Sequence, residues 1–264
     1  AFALVLLCLS VPWHVRAVSA HAYAMVEQNS GRLVAGADVS ERLPMASTTK
    51  IMTALLAVES GRLDETITVP AEAVNVEGTS MGLRPEERIT LRAVVYGLML
   101  RSGNDAANTI AMVLDGSLES FAARMNRRAA RLGLQDTHFM NPSGLDAAGH
   151  YTTALDLARL GAAAMNNADF RQIVGTKRIR VSYDGIPNGR VLTNHNRLLG
   201  TLDGVNGIKT GYTKKALRCL VTSATRDGVT LVLATLNDPN DWDDHTALLA
   251  EGFDRLHARQ LPVS

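Results

Sequence analysis

The sequence predicts an α+β fold: an antiparallel sheet flanked by helices, with a helical subdomain over about residues 75–175. Three observations carry this expectation. Strand-like alternation occupies both ends, in "AYAMVEQNSGRLVAGA" near the start and in four stretches after about residue 176. Helical spacing dominates between them. An amphipathic stretch, "DDHTALLAEGFDRLHA", closes the pattern as a last helix.

Each element has its own signal. Asn29-Ser30-Gly31 splits the first alternating run into a hairpin. "IMTALLAVESG" keeps helical spacing until Ser60-Gly61 stops it, and "TITV" reads as a short strand. The segments "LRAVVYGLML", "DAANTIAMVL", "SLESFAARMNRRAARLG" and "TALDLARLGAAAM" form the helical block. Thr153 followed by Asp156 predicts a capping box at the last of these. Strands return in "TKRIRVSY", "GVNGIKTGYT", "RCLVTSAT" and "GVTLVLATL", the last two joined by a turn at Arg226-Asp227-Gly228.

The first 20 residues stand apart. "AFALVLLCLSVPW" is an apolar run of about a dozen residues, short of the roughly 20 that span a bilayer. Val18-Ser19-Ala20 then offers small residues to a signal peptidase, so residues 1–20 read as a secretory signal and the mature chain as starting near His21. Without an initial methionine or basic leader, that signal reads as incomplete at its front. The protein is therefore expected outside the cytoplasm, in the cell wall or on the outer face of the cytoplasmic membrane, with no transmembrane span in the mature chain.

Composition excludes several classes. Lys plus Arg number 27 against 26 Asp plus Glu, so nothing favours a nucleic acid or an anionic membrane surface. Of two cysteines, Cys8 leaves with the leader, and Cys219 alone makes no intramolecular disulfide; its setting, "RCLVTSAT", reads as a buried strand. The acids around Asp238–Asp244, beside His245, read as a helix start favoured by the dipole rather than as a metal site. His150 and His195 read as structural hydrogen-bonders, and Arg127-Arg128 as a solvated helix face.

Chemistry concentrates at "MASTTKIMTALLA", where Ser47 and Lys50 stand three apart at the mouth of an apolar helix and so share a face. A lysine becomes a base when burial and neighbouring cations lower its pKa, and a serine needs such a base to act as a nucleophile. Two further motifs sharpen the reading. "RSGNDAAN" puts Ser102 and Asn104 in a break between helices. "GIKTGYT" puts Lys209 and Gly211 on one face of a strand and Thr210 on the other, with Gly211 leaving room for a close backbone approach.

In this order, the three motifs form the set known from β-lactamases and penicillin-binding proteins. With "RLPMASTTKIMTALL", "LMLRSGNDAANTIA", "NPSGLDAAGHYTTALDLARL" and "GVNGIKTGYT", the chain resembles the serine-type D-alanyl-D-alanine carboxypeptidases, the low-molecular-mass penicillin-binding proteins, over roughly residues 21–253. That resemblance implies a β-lactamase/transpeptidase-like fold, with peptidoglycan stem peptides ending in D-Ala-D-Ala as substrate and β-lactams as covalent inhibitors. It implies Ser47 as nucleophile, Lys50 as base and Ser102 as proton relay. Asn104, Lys209, Thr210, Gly211 and Tyr212 would hold the substrate, with the N–H groups of Ser47 and Tyr212 as oxyanion hole. It implies no metal or organic cofactor.

Two departures are visible. Some relatives carry an arginine in the loop after the last strand; here that region is "NDPNDWDDHTALL", which leaves carboxylate recognition to Lys209 and Thr210, and Leu217 stands where the family usually has glycine. Relatives often continue into a second domain and a membrane anchor, so a chain stopping at Ser264 reads as a single-domain form or a truncated one. The alternatives on this fold are a DD-endopeptidase, a β-lactamase and an inactive wall-binding module. No glutamate lies between Phe121 and Glu251, which argues against a class A lactamase.

Overall fold

The computed structural model describes residues 18–184 and 186–260. The chain opens with the expected hairpin, β1 (Ala22–Glu27) and β2 (Leu33–Ala37). A 3-10 turn, Ala46–Thr49, runs into α1 (Lys50–Glu59). The helical region follows, interrupted by a small two-stranded sheet: β3 (Thr66–Thr68), α2 (Ala71–Val74), β4 (Arg88–Thr90), α3 (Leu91–Leu100), α4 (Asn104–Asp115), α5 (Leu118–Arg131), α6 (Ala154–Ala164) and α7 (Ala168–Gly175). β5 (Arg178–Tyr183) and β6 (Ile186–Thr193) form a separate hairpin. β7 (Val205–Thr213), β8 (Leu217–Arg226), β9 (Val229–Leu236) and α8 (Asp241–Gln260) complete the chain.

The main sheet is fully antiparallel in the order β2-β1-β9-β8-β7, as the α+β expectation required. Period-two alternation sorts its side chains between two cores. On β9, Val232, Ala234 and Leu236 join the larger core with α1 and α3–α7, whereas Leu231 and Leu233 face Leu248, Leu249 and Phe253 of α8. Gly161 of α6 allows close packing on the sheet, since an added Cβ would lie 3.0–3.2 Å from Val232, Val221 and Ile208. The helix α1 lies in the middle of this larger core. Its residues Lys50–Val58 are all buried, which explains why it is apolar on every side.

Four features differ from the sequence reading. β6 carries Pro187 and Gly189, which hid its strand pattern, and α2 is a single turn too short to show a period. Thr153 caps α6 by accepting from Asp156 N at 3.1 Å, but the other half of the box is missing. The Asp156 carboxylate instead accepts from Asp136 N and Thr137 Oγ1. Val18–Ala20, assigned to the leader, are ordered against α8: Ser19 N donates to Asp244, and Ser19 Oγ lies 2.8 Å from Asp238 Oδ1. The rest of the expected leader, residues 1–17, lies outside the described residues. Among the described residues, no helix is long and apolar enough to cross a membrane.

Candidate active site

The 3-10 turn that carries Ser47 has no side-chain cap, so this hydroxyl is not engaged in holding the helix. Thr48 Oγ1 turns back to Met45 O instead. Lys50, the first residue of α1, has its side chain on the same face as Ser47, and its Nζ lies 2.9 Å from Ser47 Oγ. Nζ also donates to Asn104 Oδ1 at 2.7 Å and to Ser143 O. Lys50 is 0% exposed, and no carboxylate pairs with it among the described residues. Burial pushes its pKa well below the usual lysine value, Lys209 pushes it further, and Asp105 opposes them. A neutral amine keeps two N–H donors and gains one lone pair. Asn104 Oδ1 and Ser143 O can only accept, so they take the two donors and the lone pair is left for the Ser47 hydroxyl.

Ser102 lies between the end of α3 and the start of α4, in a left-handed conformation at φ 60°. Thr79 Oγ1 holds it by donating to Ser102 O at 2.6 Å. Asn104, the first residue of α4, donates from Nδ2 to Glu77 O at 2.7 Å, which orients Oδ1 toward Lys50. No hydrogen bond joins Ser102 to Lys50 or Lys209 among the described residues.

β7 supplies the opposite wall. Pairing of Thr210 with Leu220 and of Gly211 with Cys219 fixes its register. Lys209 is buried, its Nζ donates to Thr210 O at 2.7 Å, and burial lowers its pKa to about 7. Gly211 lines the cleft, and its missing side chain has a further cause that was not expected. An added Cβ would lie 3.1 Å from Ser47 N and 3.2 Å from Thr48 N, so the space is required by the Ser47 turn itself. At Gly144, φ 88°, an added Cβ would overlap Ala46 O. This is why "NPSGLDAAGH" is a packed turn, and it delivers Ser143 O to Lys50.

Between these walls lies a cleft of about 320 Å³, lined by Ser47, Thr79, Ser102, Thr210, Gly211 and Tyr212. A model of the D-alanyl-D-alanine carboxypeptidase family, peptidase S11, matches residues 10–240. The chain belongs to this family. The S11 chain is 36% identical over 243 residues to the D-alanyl-D-alanine carboxypeptidase DacB2 of Mycobacterium tuberculosis, covering 89% of this chain and 82% of that protein. It is 35% identical to DacF of Bacillus subtilis, covering 76% of this chain but only 53% of that longer protein. A variant of the Streptomyces K15 DD-transpeptidase superposes with a TM-score of 0.86 at 30% identity, covering 90% of this chain and 99% of that one. The expected fold is thereby shown.

This S11 peptidase has a cleft wall that sequence reading missed. Lys209 and Thr210 do not stand alone: Arg197 and Arg218 also line the cleft. Arg197 lies over the Trp242 ring, 5.8 Å from its centroid, and Arg218 stands 3.7 Å from Asp241. Asp241 and Trp242 begin α8, Arg218 is the second residue of β8 and Arg197 precedes β7, so no sequence spacing links them. His195 also lines the cleft rather than serving as a structural bonder; burial, then Lys209 and Arg101, lowers its pKa. His150 fills the structural role, bridging Thr49 Oγ1 at 2.8 Å and Met140 N at 2.9 Å. Cys219 is free and buried, and burial pushes its thiol up to about 12. Among the described residues no group of acids, histidines and cysteines is placed to hold a metal.

Proposed function

We propose that this cleft removes the terminal D-alanine from peptidoglycan stem peptides through an acyl-enzyme on Ser47. The observation that carries the reading is Lys50: a fully buried, uncompensated amine within 2.9 Å of a hydroxyl on the cleft. Burying a cation without a counter-charge is costly, and a group that sheds its proton avoids that cost.

Ser47 Oγ attacks the carbonyl between the two D-alanines as its proton passes to Lys50 Nζ. The N–H groups of Ser47 and Tyr212 receive the oxyanion; loss of one such donor typically costs about 10²–10³ in rate. Ser102 carries the proton to the departing amine, so D-alanine leaves neutral at nitrogen. Asn104 anchors the substrate amide and Lys50 together. Lys209 and Thr210 take the terminal carboxylate, and Arg197 and Arg218 keep the outer cleft positive. Water then hydrolyses the ester and restores Ser47. β-Lactams acylate the same serine. An apolar leader at the start of the chain, as read from the sequence, would support export to where peptidoglycan is found.

Release of D-alanine from a diacetyl-Lys-D-Ala-D-Ala tripeptide tests this. Turnover by the protein and none by Ser47→Ala is expected. Equal release by both would overturn the assignment of Ser47.

A further inference from the structure

Asp105 is absent from the mechanism above, yet it is 0% exposed beside it. At the start of α4 its carboxylate would ordinarily be read as complementing the helix dipole. Four of its five hydrogen bonds are long-range instead. Asp105 Oδ1 accepts from Met81 N at 2.9 Å and from Ala106 N at 2.8 Å. Oδ2 accepts from Gly82 N and Leu83 N, both at 3.0 Å, and from Ser80 Oγ. Consecutive amides converging on one anion form a backbone nest, and an ionised carboxylate makes such bonds strong. Here the anion belongs to the protein, and the segment it fastens is 80–83.

That segment leads directly into the site. Thr79, the residue before it, donates to Ser102 O at 2.6 Å and accepts at its own carbonyl from Asn104 N at 2.7 Å. Ser102 is held at φ 60°, a backbone state that a serine adopts only under restraint. Gly103 leaves room for the clamp, since an added Cβ would lie 2.7 Å from Asp105 Oδ1 and 3.0 Å from Met81 N. Asp105 thus lies beneath Ser102 and Asn104, with the loop 79–83 folded around it.

We propose that Asp105 is a positioning residue for the acyl-transfer chemistry, acting through Thr79 to hold Ser102 in its strained backbone state and its hydroxyl in the cleft. This deepens the proposed function and rests on it.

Asp105→Asn keeps the shape but turns one acceptor oxygen into a donor facing N–H groups. Acylation by benzylpenicillin is measured for Asp105→Asn, Ser102→Ala and the double variant, together with kcat and KM for the tripeptide. The expected cost of Asp105→Asn is about 10–100-fold in acylation rate and kcat with KM little changed, as a misplaced reacting group gives. In the Ser102→Ala background that cost shrinks to about threefold or less, the signature of residues acting as one unit. An equal cost in both backgrounds would overturn the proposal, because a merely structural residue does not depend on the Ser102 hydroxyl. Thr79→Val removes the single bond to Ser102 O at an exposed position and carries the same expectation if Asp105→Asn does not fold. A wild-type protein that benzylpenicillin does not acylate would instead overturn the proposed function itself.

Discussion

Lys50 Nζ lies 2.9 Å from Ser47 Oγ, with its other donors directed at Asn104 Oδ1 and Ser143 O. Those two oxygens cannot donate, so the amine has only one direction left for a lone pair once it loses its proton. Burial lowers the cost of that loss. Three separate chain segments therefore leave the Ser47 hydroxyl as the neighbour that a neutral Lys50 amine can accept from.

Lys209 has its pKa lowered by burial to about 7. It is a cation below that pH and loses its charge above it. If its charge receives the substrate carboxylate, kcat/KM should fall as pH rises through about 7. Lys209→Arg, charged at every accessible pH, should remove that falling limb. An unchanged limb in the variant would assign it to another group. A pH–rate profile on the tripeptide decides this.

Gly211→Ala should leave the fold intact and slow acylation. The new Cβ would press on Ser47 N and Thr48 N at 3.1 and 3.2 Å, so the Ser47 turn must shift by a few tenths of an ångström. Misplacement on that scale predicts a loss of about tenfold or more in the rate of penicillin acylation. A stopped-flow measurement showing no loss would mean that the turn yields without cost.

Leu217 has φ 56° and a 43% exposed side chain at the start of β8. A branched residue in the left-handed region costs about 1–2 kcal/mol, partly offset by the entropy that glycine loses on folding. Leu217→Gly should therefore stabilise by about 0.5–1 kcal/mol and raise Tm by roughly 1–4 °C. A calorimetric Tm at or below the parent value would contradict this.

His245 is buried between Thr222 Oγ1 and Thr235 Oγ1, and burial lowers its pKa from 6.5 to about 3. The unfolded chain then binds a proton below pH 6.5 that the folded chain refuses. Its stabilising share is complete above pH 6.5 and declines as pH falls toward 3, by about 1.4 kcal/mol per pH unit. His150, lowered to about 4 chiefly by burial, adds a second such share. Urea unfolding between pH 5 and 6.5 should show a slope of stability against pH that is smaller by about one proton in His245→Gln than in the parent protein. An equal slope in both proteins would mean that His245 already titrates normally.

Local pattern made part of this legible. The spacing of Ser47 and Lys50 survives into the structure because helical neighbours are set by geometry alone. The sheet strands and the hairpins at Asn29–Gly31 and Arg226–Gly228 likewise follow from alternation and turn chemistry. What escaped was assembled across the chain. Arg197, Arg218 and Trp242 line one cleft from three segments, and residues 80–83 fold around Asp105, more than 20 positions later. Gly211 was noticed as a glycine, but only the packed turn behind it shows what occupies the space of its missing side chain.

The central claim is that Ser47 becomes covalently acylated and stays so. Intact mass after mixing with benzylpenicillin tests it most directly, with Ser47→Ala alongside. The account predicts an added mass of one drug molecule on the protein and none on the variant. An adduct on both proteins, or on neither while the drug remains intact, would contradict it.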